Sequence, residues 1–245
     1  MRNTINILGI PVDNITMSEA LKIVNAFLNE DYVHTIFTPN SEIMMAAQRD
    51  KELKNILINS NMLIADGAGV VLASKILGRK LPERVAGYDL VENIFSILGE
   101  KGLKFYLLGA KPGVAEAAAI NIISKHKGVE ISGYHHGYFS KEENDRIIAE
   151  INSSGADILL VALGAPRQEK WIQENKDKLK VKICIGVGGS LDGFAGKVPR
   201  APDFFRKHNL EWLYRLYKEP RRFWRMLDIP RFLFLVLKSR FSHSR

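Results

Sequence analysis

Asp66 is the residue of this chain best placed for acid–base chemistry. It closes a short apolar run, residues 62–65, and is followed by Gly67-Ala68-Gly69 and a helical pattern. A second apolar run, residues 34–37, ends in the same way at Thr38-Pro39-Asn40-Ser41. Both runs read as buried strands. In parallel α/β sheets such strand-to-helix turns gather at one edge, and ligands bind there. An acid at that edge, beside a glycine that admits a ligand, fits a general base. The competing reading is an ordinary turn residue.

Three further turns follow expected strands and begin with glycine: Gly109, Gly164 and the Gly186/Gly188/Gly189 cluster. Glycine lets backbone N–H groups converge on phosphate at a helix N-terminus. Each turn alone is explained by tight strand–helix packing. None is a GxGxxG, and the chain has no P-loop GxxxxGK[ST]. Three on one sheet edge favour a nucleotide. Tyr138 follows His135-His136-Gly137 and is placed to stack on a base, or is a half-buried loop aromatic. The two adjacent histidines lack the further ligands a metal needs, so no metal is expected. Arg84 and Gly87 lie in a basic connection, residues 78–87. That connection is either a solvated loop or a ligand-facing one.

These residues need a scaffold, and the patterning supplies it. Residues 4–10 read as a strand. Thr16-Met17-Ser18-Glu19 is a capping box opening a helix. A helix capped by Asn40 or Ser41 follows the strand at 34–37, and helices are expected over 70–77 and 89–98. From Lys104 strands and helices alternate plainly. Strands are expected at 104–108, 129–132, 157–163 and 181–187, with helices over 114–125, from a second capping box at Ser140 to about 152, and over 167–175. Such alternation predicts an α/β fold, a Rossmann-like doubly wound and mainly parallel sheet.

Composition shifts near residue 197. Residues 1–196 are close to neutral, whereas 197–245 hold 13 Lys/Arg against 4 Asp/Glu and so carry the whole of the chain's net charge of +8. Eleven aromatic residues fall between Phe194 and Phe241, interleaved with basic ones, and Pro220 and Pro230 divide the stretch into short helices. We therefore divide the chain into a catalytic body, 1–196, and a helical appendage, 197–245. Part of the appendage must cap the body. Its composition also suits a helix lying in a membrane interface, where each basic residue near an anionic leaflet contributes about 1 kcal/mol. A nucleic-acid-binding module is the rival, disfavoured by the apolar 232–237 segment FLFLVL. No apolar stretch approaches the roughly 18 residues of a spanning helix. The single cysteine, Cys184, sits in an apolar run, and no secretory leader is evident, so a cytoplasmic setting is expected.

Several blocks together resemble one family: TPNSEIMMAA, LIADGAGVV, GRKLPERVAGYDL, LLGAKPGVAE, VALGAPRQEKWI, GVGGSLDGFAGKVPRAP and EWLYRLYKEPRR. On these the chain is similar to the WecG/TagA/CpsF glycosyltransferases over nearly its whole length, and looks most like the TagA branch. The resemblance implies UDP-N-acetylmannosamine (UDP-ManNAc) as donor and undecaprenyl-diphosphate-linked N-acetylglucosamine (GlcNAc) as acceptor. It further implies transfer to the acceptor 4-OH with inversion, a step in building the wall teichoic acid linkage unit. Another donor, such as UDP-glucose or UDP-N-acetylmannosaminuronic acid, stays open.

Residue roles follow from the resemblance. Thr38 and Asn40 should contact the donor sugar or phosphate, and Arg84 and Gln168 should line the pocket. Gly109, Ala110, Tyr138, Gly164, Arg167, Gly188, Gly189 and Asp192 are candidates for the UDP-sugar site. An inverting transfer needs one base and no covalent nucleophile. The chain has no Asp-x-Asp to hold a metal, so the departing UDP must be stabilised by cationic side chains and helix N-termini. Arg215, Arg222 and Arg225 of the appendage are assigned that task, with neither metal nor cofactor. The expected location is the inner face of an anionic membrane, without nucleic acid; a homo-oligomer is an open possibility.

Overall fold

The computed structural model describes residues 2–208, 210–218 and 223–242. The chain opens with an antiparallel hairpin, β1 (Thr4–Ile7) and β2 (Ile10–Asp13). The single strand expected over residues 4–10 is therefore corrected. Leu8 and Gly9 both take left-handed backbone, φ 54° and 83°, and turn the chain back inside an unbroken apolar run. Helix α1 (Met17–Phe27) starts at the capping box: Glu19 accepts the Thr16 N–H at 2.7 Å, and the Thr16 hydroxyl accepts the Glu19 N–H at 3.2 Å.

Strand β3 (His34–Phe37) leads into α2 (Ser41–Arg49), capped by Asn40, and α3 (Lys51–Ile58), capped by Asp50. Strand β4 (Met62–Leu63) is two residues shorter than expected and is followed by α4 (Ala68–Ile76) and α5 (Gly87–Asn93). The regular alternation then runs through β5 (Lys104–Gly109), α6 (Val114–Lys125), β6 (Glu130–His135), α7 (Asn144–Ser153), β7 (Ile158–Ala162), α8 (Arg167–Asn175) and β8 (Ile183–Gly186). The second capping box is only half made. Glu143 accepts the Ser140 N–H at 2.8 Å, but α7 starts at Asn144 without a side-chain cap. Short helices α9 (Ser190–Phe194), α10 (Asp203–Lys207), α11 (Glu211–Lys218) and α12 (Phe223–Met226) precede the last helix, α13 (Asp228–Ser242).

Strands β3 to β8 form one parallel sheet in the order β4-β3-β8-β7-β5-β6. Their side chains alternate between two apolar layers. Phe37, Leu108, Val161 and Cys184 face one layer, and Ile36, Leu107, Leu160 and Ile185 face the other. Helices cover both faces, so the strands read as continuous apolar runs. The chain leaves β5 toward β6 but leaves β7 toward β8, which opens a switch point between the ends of β5 and β7. Ligands bind at such points in doubly wound sheets.

The appendage is not wholly separate from this core. On α13, Phe232 and Val236 are fully buried against the first layer, and the helix packs on α2 and α4. Asp228 pairs with Arg49 at 3.2 Å, and Arg240 donates to the Ile76 carbonyl at 2.7 Å. On its outer side Phe234, Leu237 and Phe241 are exposed. No helix among the described residues is long and apolar enough to cross a membrane.

Candidate active site

At the C-terminal ends of β3 and β4 the chain builds a cavity of about 100 Å³. The segment after β4 stays zipped to β3: Ile64 N–H donates to the Phe37 carbonyl at 3.1 Å, and Asp66 N–H donates to the Pro39 carbonyl at 3.2 Å. Gly67 then turns with φ 99°, a conformation that favours glycine, and α4 begins without a side-chain cap. The result aims Asp66 into the cavity beside Asn40, Glu42 and Arg84. The far wall comes from the appendage, as Glu211, Trp212, Met226 and Ile229.

Arg84 is the hinge of this arrangement. One of its terminal nitrogens, Nη2, lies 2.6 Å from a Glu211 carboxylate oxygen and 3.6 Å from one of Asp66. The guanidinium and Glu211 are largely buried, whereas Asp66 is a third exposed. Burial opposes the Arg84 charge, but Asp66 and Glu211 outweigh it and hold the guanidinium above its ordinary range. Arg84 Nε is buried with no hydrogen-bond partner. The connection over residues 78–87 is thus buried against the cavity at Arg84 rather than solvated throughout.

Thr38 and Gln168 join this cavity to the glycine turns. The Thr38 hydroxyl reaches the Gly186 carbonyl at 3.5 Å. Gln168 is buried; its Oε1 accepts the Gly188 N–H at 3.0 Å, and its Nε2 donates to Glu169 at 2.9 Å. Gln168 therefore supports the β8 turn from below and is absent from the lining of the Asp66 cavity. Asn40 lines the cavity while its Oδ1 accepts the Ile43 N–H and caps α2.

A second cluster forms at the β5/β7 switch point. Ala110, with φ 57°, donates its N–H to the Ala162 carbonyl at 2.9 Å and accepts the Gly137 N–H at 2.8 Å. This seats the 135–139 loop on the Gly109–Ala110 turn, with Tyr138 exposed to solvent. Arg167 lies over the Phe139 ring at 5.3 Å. Gly164 turns with φ 76° just before α8. Gly188 turns with φ 53°, and α9 starts at Ser190 with Gly189 before it. Asp192, on α9, accepts the Lys197 and Val198 N–H groups through its backbone carbonyl. The described residues contain no group of three or more His, Cys, Asp or Glu able to hold a metal.

Arg215 and Arg225 belong to α11 and α12, but their side chains lie outside the described residues, as does all of Arg222. Sequence reasoning missed Glu211 and Glu169. Glu211 is an acid opening a basic segment, and nothing in the linear pattern pairs it with Arg84. Glu169 is buried in the first turn of α8, and burial pushes its carboxyl above the usual range, against a bond from Gln168.

The profile of the glycosyl transferase WecG/TagA/CpsF family matches residues 5–245. The chain belongs to this family. It is a glycosyltransferase. It is 36% identical over 213 residues to the N-acetylglucosaminyldiphosphoundecaprenol N-acetyl-beta-D-mannosaminyltransferase of Bacillus subtilis (strain 168), covering 87% of this chain and 82% of that protein. A protein of the same name from Staphylococcus aureus (strain MRSA252) is 33% identical over 238 residues, covering 96% of this chain and 93% of that one. The family and the α/β, Rossmann-like architecture with a parallel sheet are those expected from the sequence.

Proposed function

We propose that this glycosyltransferase moves N-acetylmannosamine from UDP-ManNAc to the 4-OH of undecaprenyl-diphosphate-linked GlcNAc, with inversion. The observation that carries the reading is the cavity holding Asp66 and Arg84 between the sheet edge and the appendage. Asp66 accepts the acceptor hydroxyl proton as that oxygen attacks the sugar C1. The bond from C1 to the diphosphate breaks on the opposite side, and its electron pair leaves with UDP. A positioned base contributes roughly 10²–10⁴-fold to such a step.

Charge on the departing diphosphate is met by Arg84 and by Arg215, Arg222 and Arg225 of the appendage, supported by helix N-termini. Helices α4 and α6 begin without a side-chain cap at the sheet edge, which keeps first-turn N–H groups available to an anion. The uridine end is assigned to the cluster at the β5/β7 switch point. No metal enters the step, so turnover should survive excess EDTA; an absolute need for Mg²⁺ or Mn²⁺ would overturn this part.

The appendage holds the enzyme on the inner face of an anionic membrane, where its lipid-linked acceptor resides. Phe234, Leu237 and Phe241 are exposed on α13, and interleaved Lys and Arg fit anionic headgroups. This apolar side suits lipid better than a nucleic-acid backbone.

The test is UDP release from a panel of nucleotide sugars with a short-chain, lipid-linked GlcNAc acceptor. UDP-ManNAc should be the donor that turns over, and only with acceptor present. Faster turnover of another UDP-sugar would replace the donor assignment. Single substitutions Arg215→Glu, Arg222→Glu and Arg225→Glu should each lower turnover on this soluble acceptor. Full activity in all three would reduce the appendage to an anchor.

A further inference from the structure

The cavity that holds Asp66 has two walls of opposite chemistry. The body supplies polar groups, among them Asn40, Asp66 and Arg84, and the appendage supplies the apolar Trp212, Met226 and Ile229. None of these three belongs to either apolar layer of the core. Trp212 is 39% exposed, so a large apolar ring lines the cavity instead of packing inward. Its neighbour holds it there. Glu211, the first residue of α11, meets Arg84 at 2.6 Å in a largely buried ion pair, which fixes the start of the helix against the body.

Strand order decides which substrate meets this wall. The uridine end is assigned to the β5/β7 switch point, and Asp66 follows β4. From β7 to β4 the order is β7-β8-β3-β4, three strand spacings or roughly 14 Å. A nucleoside diphosphate laid along this edge ends with its sugar near Asp66. In an inverting transfer the attacking hydroxyl reaches C1 on the side away from the diphosphate. The acceptor therefore lies beyond the donor sugar, and the wall left to it is the one the appendage brings. A pyranose carries hydroxyls around its rim and C–H groups on its faces. The electron-rich face of an indole attracts such C–H groups, and the polar wall opposite receives the hydroxyls.

We propose that Trp212 is the acceptor platform: its indole stacks on the apolar face of the acceptor N-acetylglucosamine and presents the 4-OH to Asp66. This rests on the proposed reaction, with Asp66 as the base and the donor laid along the glycine turns. Because Trp212 and Glu211 both belong to α11, the acceptor site is complete only when the appendage is docked on the body.

The test is initial-rate kinetics on Trp212→Ala, Trp212→Leu and Trp212→Phe, with UDP-ManNAc and the short-chain lipid-linked GlcNAc varied in turn. Trp212→Ala should raise the acceptor KM about five- to tenfold, with a smaller change in kcat and a UDP-ManNAc KM within about twofold of wild type. Trp212→Phe keeps an aromatic face and should restore most of the acceptor KM. Trp212→Leu is bulky and apolar without that face and should resemble Trp212→Ala. The Phe and Leu pair decides the matter if a lower Tm shows that Trp212→Ala loosens α11. A wild-type acceptor KM in Trp212→Leu overturns the proposal, as does a donor KM that rises as much as the acceptor KM. The acceptor effect should be equal for GlcNAc on shorter and longer alkyl chains; an effect confined to the longer chain would give the wall to lipid and overturn the platform. Wild type tests the reaction itself: no transfer to the GlcNAc acceptor would remove the proposed function and the platform with it, whereas transfer with unresponsive Trp212 variants removes only the platform.

Discussion

Gly87 and Thr38 pack so closely that a Cβ added to Gly87 would stand 2.9 Å from the Thr38 hydroxyl. Gly87 ends the connection that carries Arg84 and opens α5, and Thr38 follows β3 beside Gly186. This contact fixes the loop of one cationic residue against the sheet edge.

Gly87→Ala should therefore separate the two halves of the site. Overpacking costs about 1–3 kcal/mol, seen as a lower Tm. The loss of kcat/KM should be larger than that cost implies, about ten- to a hundredfold, since small misplacements of reacting groups are expensive. Unchanged kcat/KM would mean that the Gly87–Thr38 contact does not position Arg84.

Glu169 makes a pH prediction. Its carboxyl is buried, Oε2 has no hydrogen-bond partner, and its folded-state pKa is raised by desolvation. A carboxyl with a raised folded pKa favours folding below its unfolded pKa, and that contribution is lost as pH rises through the folded value. At neutral pH, above the unfolded pKa, burial of this carboxyl costs stability. Glu169→Gln keeps an oxygen for the Gln168 bond without the charge. It should raise Tm near pH 7 by about 2–4 °C, the shift that roughly 1 kcal/mol produces in a chain of this size. The gain should shrink toward pH 4. An equal gain at both pH values, or a loss at neutral pH, contradicts this account.

How much was legible beforehand follows the same physics. Strand β3 and helix α6 fall within the ranges read from their apolar patterns, because local periodicity dictates them. The β1–β2 hairpin was hidden, since its turn uses Leu8 in left-handed backbone, which no turn signature announces. The placement of Asp66 at a strand end was readable from the run of residues 62–65 and the following glycine. Its partner across the cavity was not. Arg84 and Glu211 are 127 positions apart, and only the docking of the appendage brings them together. Gln168 illustrates the middle ground: a site residue by resemblance, it lies beneath the Gly188 turn rather than in the Asp66 cavity.

Helix α13 offers a contrast between neighbours. Phe232 is fully buried and Phe234 is 67% exposed. Phe232→Ala should cost about 3–5 kcal/mol of stability. Phe234→Ser combined with Phe241→Ser should leave Tm nearly unchanged while weakening sedimentation with anionic vesicles. Undiminished vesicle binding in the double variant would remove this face as the membrane contact.

The central claim is that Asp66 takes the acceptor proton. Asp66→Asn is close to isosteric and retains the turn after β4, so UDP binding measured by calorimetry should stay near wild type. Turnover of UDP-ManNAc with the soluble GlcNAc acceptor should fall by roughly 10²–10⁴-fold. Near wild-type turnover in Asp66→Asn would contradict the account, and the base would have to be sought elsewhere.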